Sequence, residues 1–199
     1  MAVSVDKVRE LREKTGAGMM ACKRALEQAG GDTEKAINIL REKGAAVLAR
    51  REAKATTEGL VECYIHTGSK IGVLVELNCE TDFVAKTDDF KELARDIAMQ
   101  IAWSQPEYIS REDIPEHKLE KEEEIHRQWA VNHGKPETAI PKIVEGRMEK
   151  FFSTVVLMDQ PFIKDEEKTI GELIREKVAK LAEKLMVRRF VRYRVGETA

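Results

Sequence analysis

Apolar residues recur at helical spacing through the first fifty positions. Val5, Val8 and Leu11 mark one face of a first helix, which Thr15-Gly16-Ala17-Gly18 breaks. Met19, Cys22, Leu26 and Ala29 stripe a second helix, closed by Gly30-Gly31. Asp32 is placed to cap a third that carries Ala36, Ile37 and Leu40. Three helices this short bury little surface alone, so residues 1–50 are predicted to form a three-helix unit that leans on its own core or on a partner. The polar run that starts at Arg50 has no stripe and reads as a linker over 51–57.

From Glu58 the period drops to two. Val61, Cys63 and Ile65 alternate with polar or larger residues, Thr67-Gly68-Ser69-Lys70 supplies a turn, and Ile71, Val73, Val75 and Leu77 alternate again. This is the pattern of a β-hairpin with its alternating apolar positions on one buried face. Asn78 to Lys86 reads as a loop, and Asp88-Asp89 open a helix lined by Phe90, Leu93, Ile97 and Ile101, with acidic residues at the positive end of its dipole. A charged helix is expected from Pro115 to about His133, stopped by Asn132-His133-Gly134-Lys135-Pro136. Another begins near Glu137, striped by Ile140, Val144, Met148, Phe151, Phe152 and Val155, with Pro141 in its first turn. Joined by a short turn, they predict an antiparallel helical hairpin at about 115–158. Asp159-Gln160-Pro161-Phe162 then interrupts, and Thr169 with Glu172 forms a capping-box pattern ahead of a helix bearing Leu173, Val178, Leu181 and Leu185. Val187 to Val195 reads as a third strand beside the hairpin. Residues 58–199 are therefore expected to be an α+β core, with helices over one face of a small antiparallel sheet.

Composition narrows the function classes. Of 199 residues, 42% are hydrophobic, enough for a buried core, and 35% are charged, which suits a solvated helical protein. Lys and Arg number 34 against 36 Asp and Glu, so the broad basic excess of a nucleic-acid-binding surface is missing. No secretory leader is expected at the N-terminus, and no apolar run matches a membrane span. Cys22, Cys63 and Cys79 are widely spaced and odd in number, which predicts free thiols and a cytoplasmic protein.

Candidate chemistry is sparse. Cys63, His66 and Cys79 lack the paired spacing of a zinc site, so no metal is expected. Cys79 lies close to Glu80 and Asp82, but no His lies near it in sequence to orient a nucleophile, and neither common glycine-rich phosphate loop is present. His126 and His133 are expected on a solvated helix face. Arg188, Arg192 and Arg194 alternate along the last strand as a solvated or salt-bridged face would. The informative segment is Glu76-Leu77-Asn78-Cys79-Glu80-Thr81-Asp82-Phe83-Val84-Ala85-Lys86, which leaves a strand and turns toward a helix. Two fates suit it. Thr81 and Asp82 serve as capping groups while Phe83 folds back onto the core, or Phe83 projects as an apolar wedge with Asp82 fixing its approach. From the residues alone, an interaction module fused to an α+β enzyme and an RNA-binding protein stay open beside a protein-binding factor.

The run Glu76 to Lys86, with Thr-Asp-Phe-Val at its centre, resembles a signature of the elongation factor Ts family. Leu11-Arg12-Glu13-Lys14-Thr15-Gly16-Ala17-Gly18-Met19-Met20, continuing to Lys23 and Leu26, resembles the family's other signature, and Leu157-Met158-Asp159-Gln160-Pro161-Phe162 a third shared stretch. Together they span most of the chain. The N-terminal motif departs from the family at Ala21, where many relatives carry an acidic residue. The resemblance implies an N-terminal ubiquitin-associated-like three-helix unit and a non-enzymatic, cofactor-free guanine-nucleotide exchange factor for the GTPase elongation factor Tu. It implies that Asp82 and Phe83, flanked by Thr81 and Val84, enter the GTPase domain beside its Mg²⁺ site, and that Leu11, Arg12, Thr15, Gly16, Gly18 and Met19 belong to the part that docks on the same domain. With room for one core half only, the chain is similar to short family members, which are expected to pair as homodimers.

Overall fold

Ser4 starts the first helix: its side chain accepts from the Asp6 N–H, and α1 runs Val5–Thr15. Gly16 ends it at φ +65°, a left-handed turn that lets its N–H reach Arg12 O at 2.8 Å. α2 is Met19–Gln28, after which Gly31 N–H returns to Leu26 O. α3 is Thr33–Arg51, with Asp32 accepting from Lys35 N–H at 3.1 Å as the expected cap. Val8, Leu11, Cys22, Ala25, Leu26 and Ala36 close a shared core.

The computed structural model describes residues 3–51 and 53–197; the expected domain limits at 1 and 199, and Glu52 of the expected linker, lie outside them. After α3 the chain turns at Ala53 and stays irregular through Thr57. β1 is Glu58–Ile65 and β2 is Ile71–Cys79. α4 is Asp82–Ala85, α5 Asp88–Ser104, α6 Glu116–Asn132 and α7 Ile140–Val155. A small hairpin pairs β3, Pro161–Phe162, with β4, Asp165–Thr169; α8 is Ile170–Leu181 and β5 Met186–Arg194. The three-stranded sheet runs β1-β2-β5, so the last strand lies beside the hairpin as expected and the class is α+β.

One strand faces the other way from its pattern. β2 buries Val73, Val75 and Leu77 as expected, half-buries Ile71, and runs on to buried Cys79 where a loop was expected, but β1 leaves Val61, Cys63 and Ile65 exposed and half-buries Leu60, Glu62 and Tyr64. Register explains the reversal: the turn fixes which β1 residue faces which β2 residue, through His66 N–H to Ile71 O at 2.9 Å. An edge strand of weak apolar bias follows its neighbour.

The residues group into two compact units. One holds 1–62, 76–94 and 173–188; the other holds 63–75, 95–172 and 189–199. In the first, Lys177 and Lys180 of α8 pair with Asp89 at 3.1 and 2.6 Å. In the second, α6 and α7 form the expected helical hairpin, closed by Ala130, Ile140, Val144 and Met148. Pro141 falls in the first turn of α7, behind a 3-10 turn at Glu137–Ala139. The capping box ahead of α8 is present, with Thr169 N–H on Glu172 and Glu172 N–H on Thr169 Oγ1 at 2.9 and 3.2 Å.

Candidate partner-contact site

β2 delivers the segment that the sequence singles out. Its last residue, Cys79, is fully buried, and its thiol donates to Thr81 O at 3.1 Å. Burial, reinforced by the charge of Glu183, pushes that thiol up to about 11, so at neutral pH it is a protonated hydrogen-bond donor and no nucleophile. Thr81 leaves the strand with extended backbone and caps α4, its Oγ1 accepting from Val84 N–H. α4 has one turn only. Val84 and Ala85 are buried and anchor it, while Asp82 and Phe83 lie on its outer side.

Phe83 is 81% exposed. Of the two fates open to that ring, the structure has the projecting one. Asp82 forms an ion pair with Lys86, one turn on, and the carboxylate holds the Lys86 ammonium above its ordinary pKa. Both side chains are mostly in water, so the pair adds little to stability and Asp82 can exchange it for another donor.

Beneath this turn lies a set of polar links that sequence reasoning missed. Glu80 accepts from Arg51 Nη1 at 2.6 Å through one oxygen and from Lys184 N–H at 2.7 Å through the other. Glu183 accepts from Thr81 N–H at 3.1 Å and from the Thr81 hydroxyl at 2.6 Å. The partners are 102 and 104 residues apart, a separation at which no spacing pattern carries a signal.

The N-terminal candidates lie in the same unit on other elements. Leu11 is wholly buried in the three-helix core. Thr15 is half-buried, its hydroxyl donating to Leu11 O at 2.7 Å. Gly16 supplies the left-handed turn, and Gly18 is the extended N-cap residue of α2, its carbonyl accepting from Ala21 and Cys22 N–H. Arg12 is exposed on α1, while Met19 is 41% and Met20 60% exposed. Arg12, Gly16, Gly18, Met19 and Met20 are thus exposed, while Leu11 is buried and Thr15 half-buried beneath them. Met20 belonged to the motif but not to the expected site, because spacing alone does not separate exposed from buried methionines.

Among the described residues, no three His, Cys, Asp or Glu side chains gather as metal ligands would, and no helix is long and apolar enough to cross a membrane. A family model described as Elongation factor TS matches residues 6–197. Elongation factor Ts of Carboxydothermus hydrogenoformans is 60% identical over 195 residues, covering 98% of this chain and 90% of that protein. The protein of the same name from Moorella thermoacetica is 58% identical, with 98% and 96% covered, and that from Thermodesulfovibrio yellowstonii is 58% identical over 198 residues, with 100% and 98% covered.

Proposed function

The chain belongs to the elongation factor Ts family, and from that premise we propose that it is a guanine-nucleotide exchange factor that opens the nucleotide site of elongation factor Tu during translation elongation. The observation that carries the proposal is Phe83: a large apolar ring displayed to solvent on a one-turn helix whose neighbours are fixed. An exposed aromatic of this kind is suited to become the buried centre of an interface. On this reading Phe83 enters the GTPase domain next to the Mg²⁺ site, with Asp82 taking a polar partner there in place of Lys86. Displacing the groups that hold Mg²⁺ leaves the GDP phosphates poorly neutralised, and the nucleotide departs.

Arg12, Met19 and Met20 form the docking patch on the N-terminal helices, which lets the wedge act on a partner already held. The factor performs no covalent chemistry and needs no cofactor. Its whole effect is a negative coupling, since whatever weakens GDP on the partner must also make GDP weaken the factor. The working place on this reading is the cytoplasm, with no contact to nucleic acid. A second copy of the chain is the proposed further partner. In the second unit the outward side of the sheet presents Ile65, Leu74, Val191 and Tyr193, an apolar set suited to two-fold pairing, which light scattering coupled to gel filtration would detect.

The primary test mixes the protein with elongation factor Tu carrying a fluorescent GDP and follows its release into excess unlabelled GDP. Release should accelerate with factor concentration to a plateau, and added Mg²⁺ should oppose it. An unchanged rate at saturating factor would refute the proposal.

A further inference from the structure

α4 is too short to hold itself: one turn of helix fixes several torsions for a single internal hydrogen bond. Its orientation has to come from outside, and the structure shows from where. Thr81, the cap residue, has one hydroxyl proton and two lone pairs. Glu183 takes the proton at 2.6 Å, which leaves a lone pair of Oγ1 for the Val84 N–H. The second oxygen of Glu183 takes the Thr81 N–H at 3.1 Å. One carboxylate therefore sets the backbone and the side chain of the residue from which the wedge departs.

The link is answered in the opposite direction. Glu80 accepts from Lys184 N–H at 2.7 Å, so residues 80–81 and 183–184 are strapped by two carboxylates pointing opposite ways. Arg51, the last residue of α3, closes on the remaining oxygen of Glu80 at 2.6 Å. α3 also approaches α8 where a methyl at Gly44 would touch Ala179. The three-helix unit, the segment after α8 and the base of the wedge thus share one polar junction, and two of its acceptors are charged, which makes those bonds the stronger kind.

We infer that Glu183 is a positioning residue for the exchange reaction: by clamping Thr81 it holds α4 at the angle that presents Phe83, and it does so without touching the partner. The inference rests on the exchange reading above. If the clamp acts on the wedge alone, docking through Arg12, Met19 and Met20 survives its loss. Glu183→Ala should then change the plateau rate of GDP release, with little effect on the factor concentration that gives half of it.

The experiment measures release of fluorescent GDP from elongation factor Tu across a range of factor concentrations. It uses the full chain and its Phe83→Ala, Glu183→Ala, Glu183→Gln, Thr81→Val and Glu183→Ala/Thr81→Val variants, each checked for fold by circular dichroism. Glu183→Ala is expected to lower the plateau roughly tenfold, in keeping with loss of charged hydrogen bonds, with half-saturation within about twofold. Losses in the double variant should be less than additive, since the two changes share the hydroxyl–carboxylate bond. Glu183→Gln keeps the shape and one acceptor oxygen and should fall about threefold; it decides the matter if Glu183→Ala does not fold. A wild-type protein that fails to accelerate release would remove the exchange reading itself, and a fully active Phe83→Ala would remove the wedge on which the clamp acts. Acceleration by wild type and loss in Phe83→Ala, alongside a full plateau in the Glu183 variants or additive losses in the double variant, would overturn the clamp alone.

Discussion

Removing the Phe83 ring should separate function from folding by a wide margin. Fully burying a phenylalanine side chain stabilises a fold by up to about 3 kcal/mol. With Phe83 81% exposed, about a fifth of that is at stake, or ~0.6 kcal/mol. For a chain of this length such a loss lowers the melting temperature by about 1–2 °C. In the proposed complex the same ring is the apolar centre of an interface, where truncation costs about 2–4 kcal/mol, a factor of roughly 30 to 1000. Phe83→Ala should therefore melt almost as wild type does in a calorimeter and yet fail to accelerate GDP release from elongation factor Tu. Phe83→Leu, which keeps apolar bulk without the flat ring, should fall between. Two results would refute the reasoning: exchange at the wild-type rate, or a drop in melting temperature beyond about 5 °C, which would mean that the ring supports this chain's own packing.

Alkylation should discriminate among the thiols. With the Cys79 thiol pushed up to about 11, only about 0.1% is thiolate at pH 8; brief iodoacetamide treatment of folded protein should thus label exposed Cys63 and leave buried Cys22 and Cys79 intact by peptide mass spectrometry. Gly59→Ala should cost more than about 3 kcal/mol in urea unfolding, since its methyl would lie 2.2 Å from Leu77 O, a backbone atom that moves only with the strand. Arg111→Ala removes bonds to Asp159 at 2.7 Å and to both oxygens of Glu149, together with a guanidinium over the Phe152 ring. Discounted for solvent exposure, this should cost about 1–2 kcal/mol. The hydrogen bond from Arg111 holds the Glu149 carboxyl below its ordinary 4.5. That contribution is complete above the unfolded value and fades as pH falls through the lowered folded one, so the gap between wild type and Arg111→Ala should narrow as pH falls below 4.5.

What could be read from the chain beforehand was whatever rests on local pattern. The three N-terminal helices, the hairpin of α6 and α7, the Thr169–Glu172 capping box and the last strand each follow from neighbours within a few residues. The failures come from long-range pairing or from elements too polar or too short to carry a pattern. β1 turned Val61 and Ile65 to solvent because β2 and the turn set its register. The β3–β4 hairpin was invisible because β4 reads Asp-Glu-Glu-Lys-Thr, with no apolar alternation to mark it. In the candidate site, the Thr-Asp-Phe-Val run stands out in the sequence, but its short helix does not, because four residues carry no periodicity. The direction of Phe83 is not legible either, because the two residues before Asp82 are held by Arg51, Glu183 and Lys184, which lie far along the chain.

That arrangement also bears on why an exposed aromatic persists at all. The ring adds well under 1 kcal/mol to the fold and presents an apolar surface that water disfavours. Stability alone would be served as well by a polar residue there. Yet the few bonds linking residues 80 and 81 to Arg51, Glu183 and Lys184 fix the two positions directly preceding Asp82 and Phe83. Ordering those side chains has an entropic cost, which bonds to two carboxylates, the Glu80 side chain only 11% exposed, offset. On the exchange reading, links of this kind beneath a side chain that contributes almost nothing to the fold serve preorganisation: an aim fixed before the partner arrives is not deducted from the energy of binding.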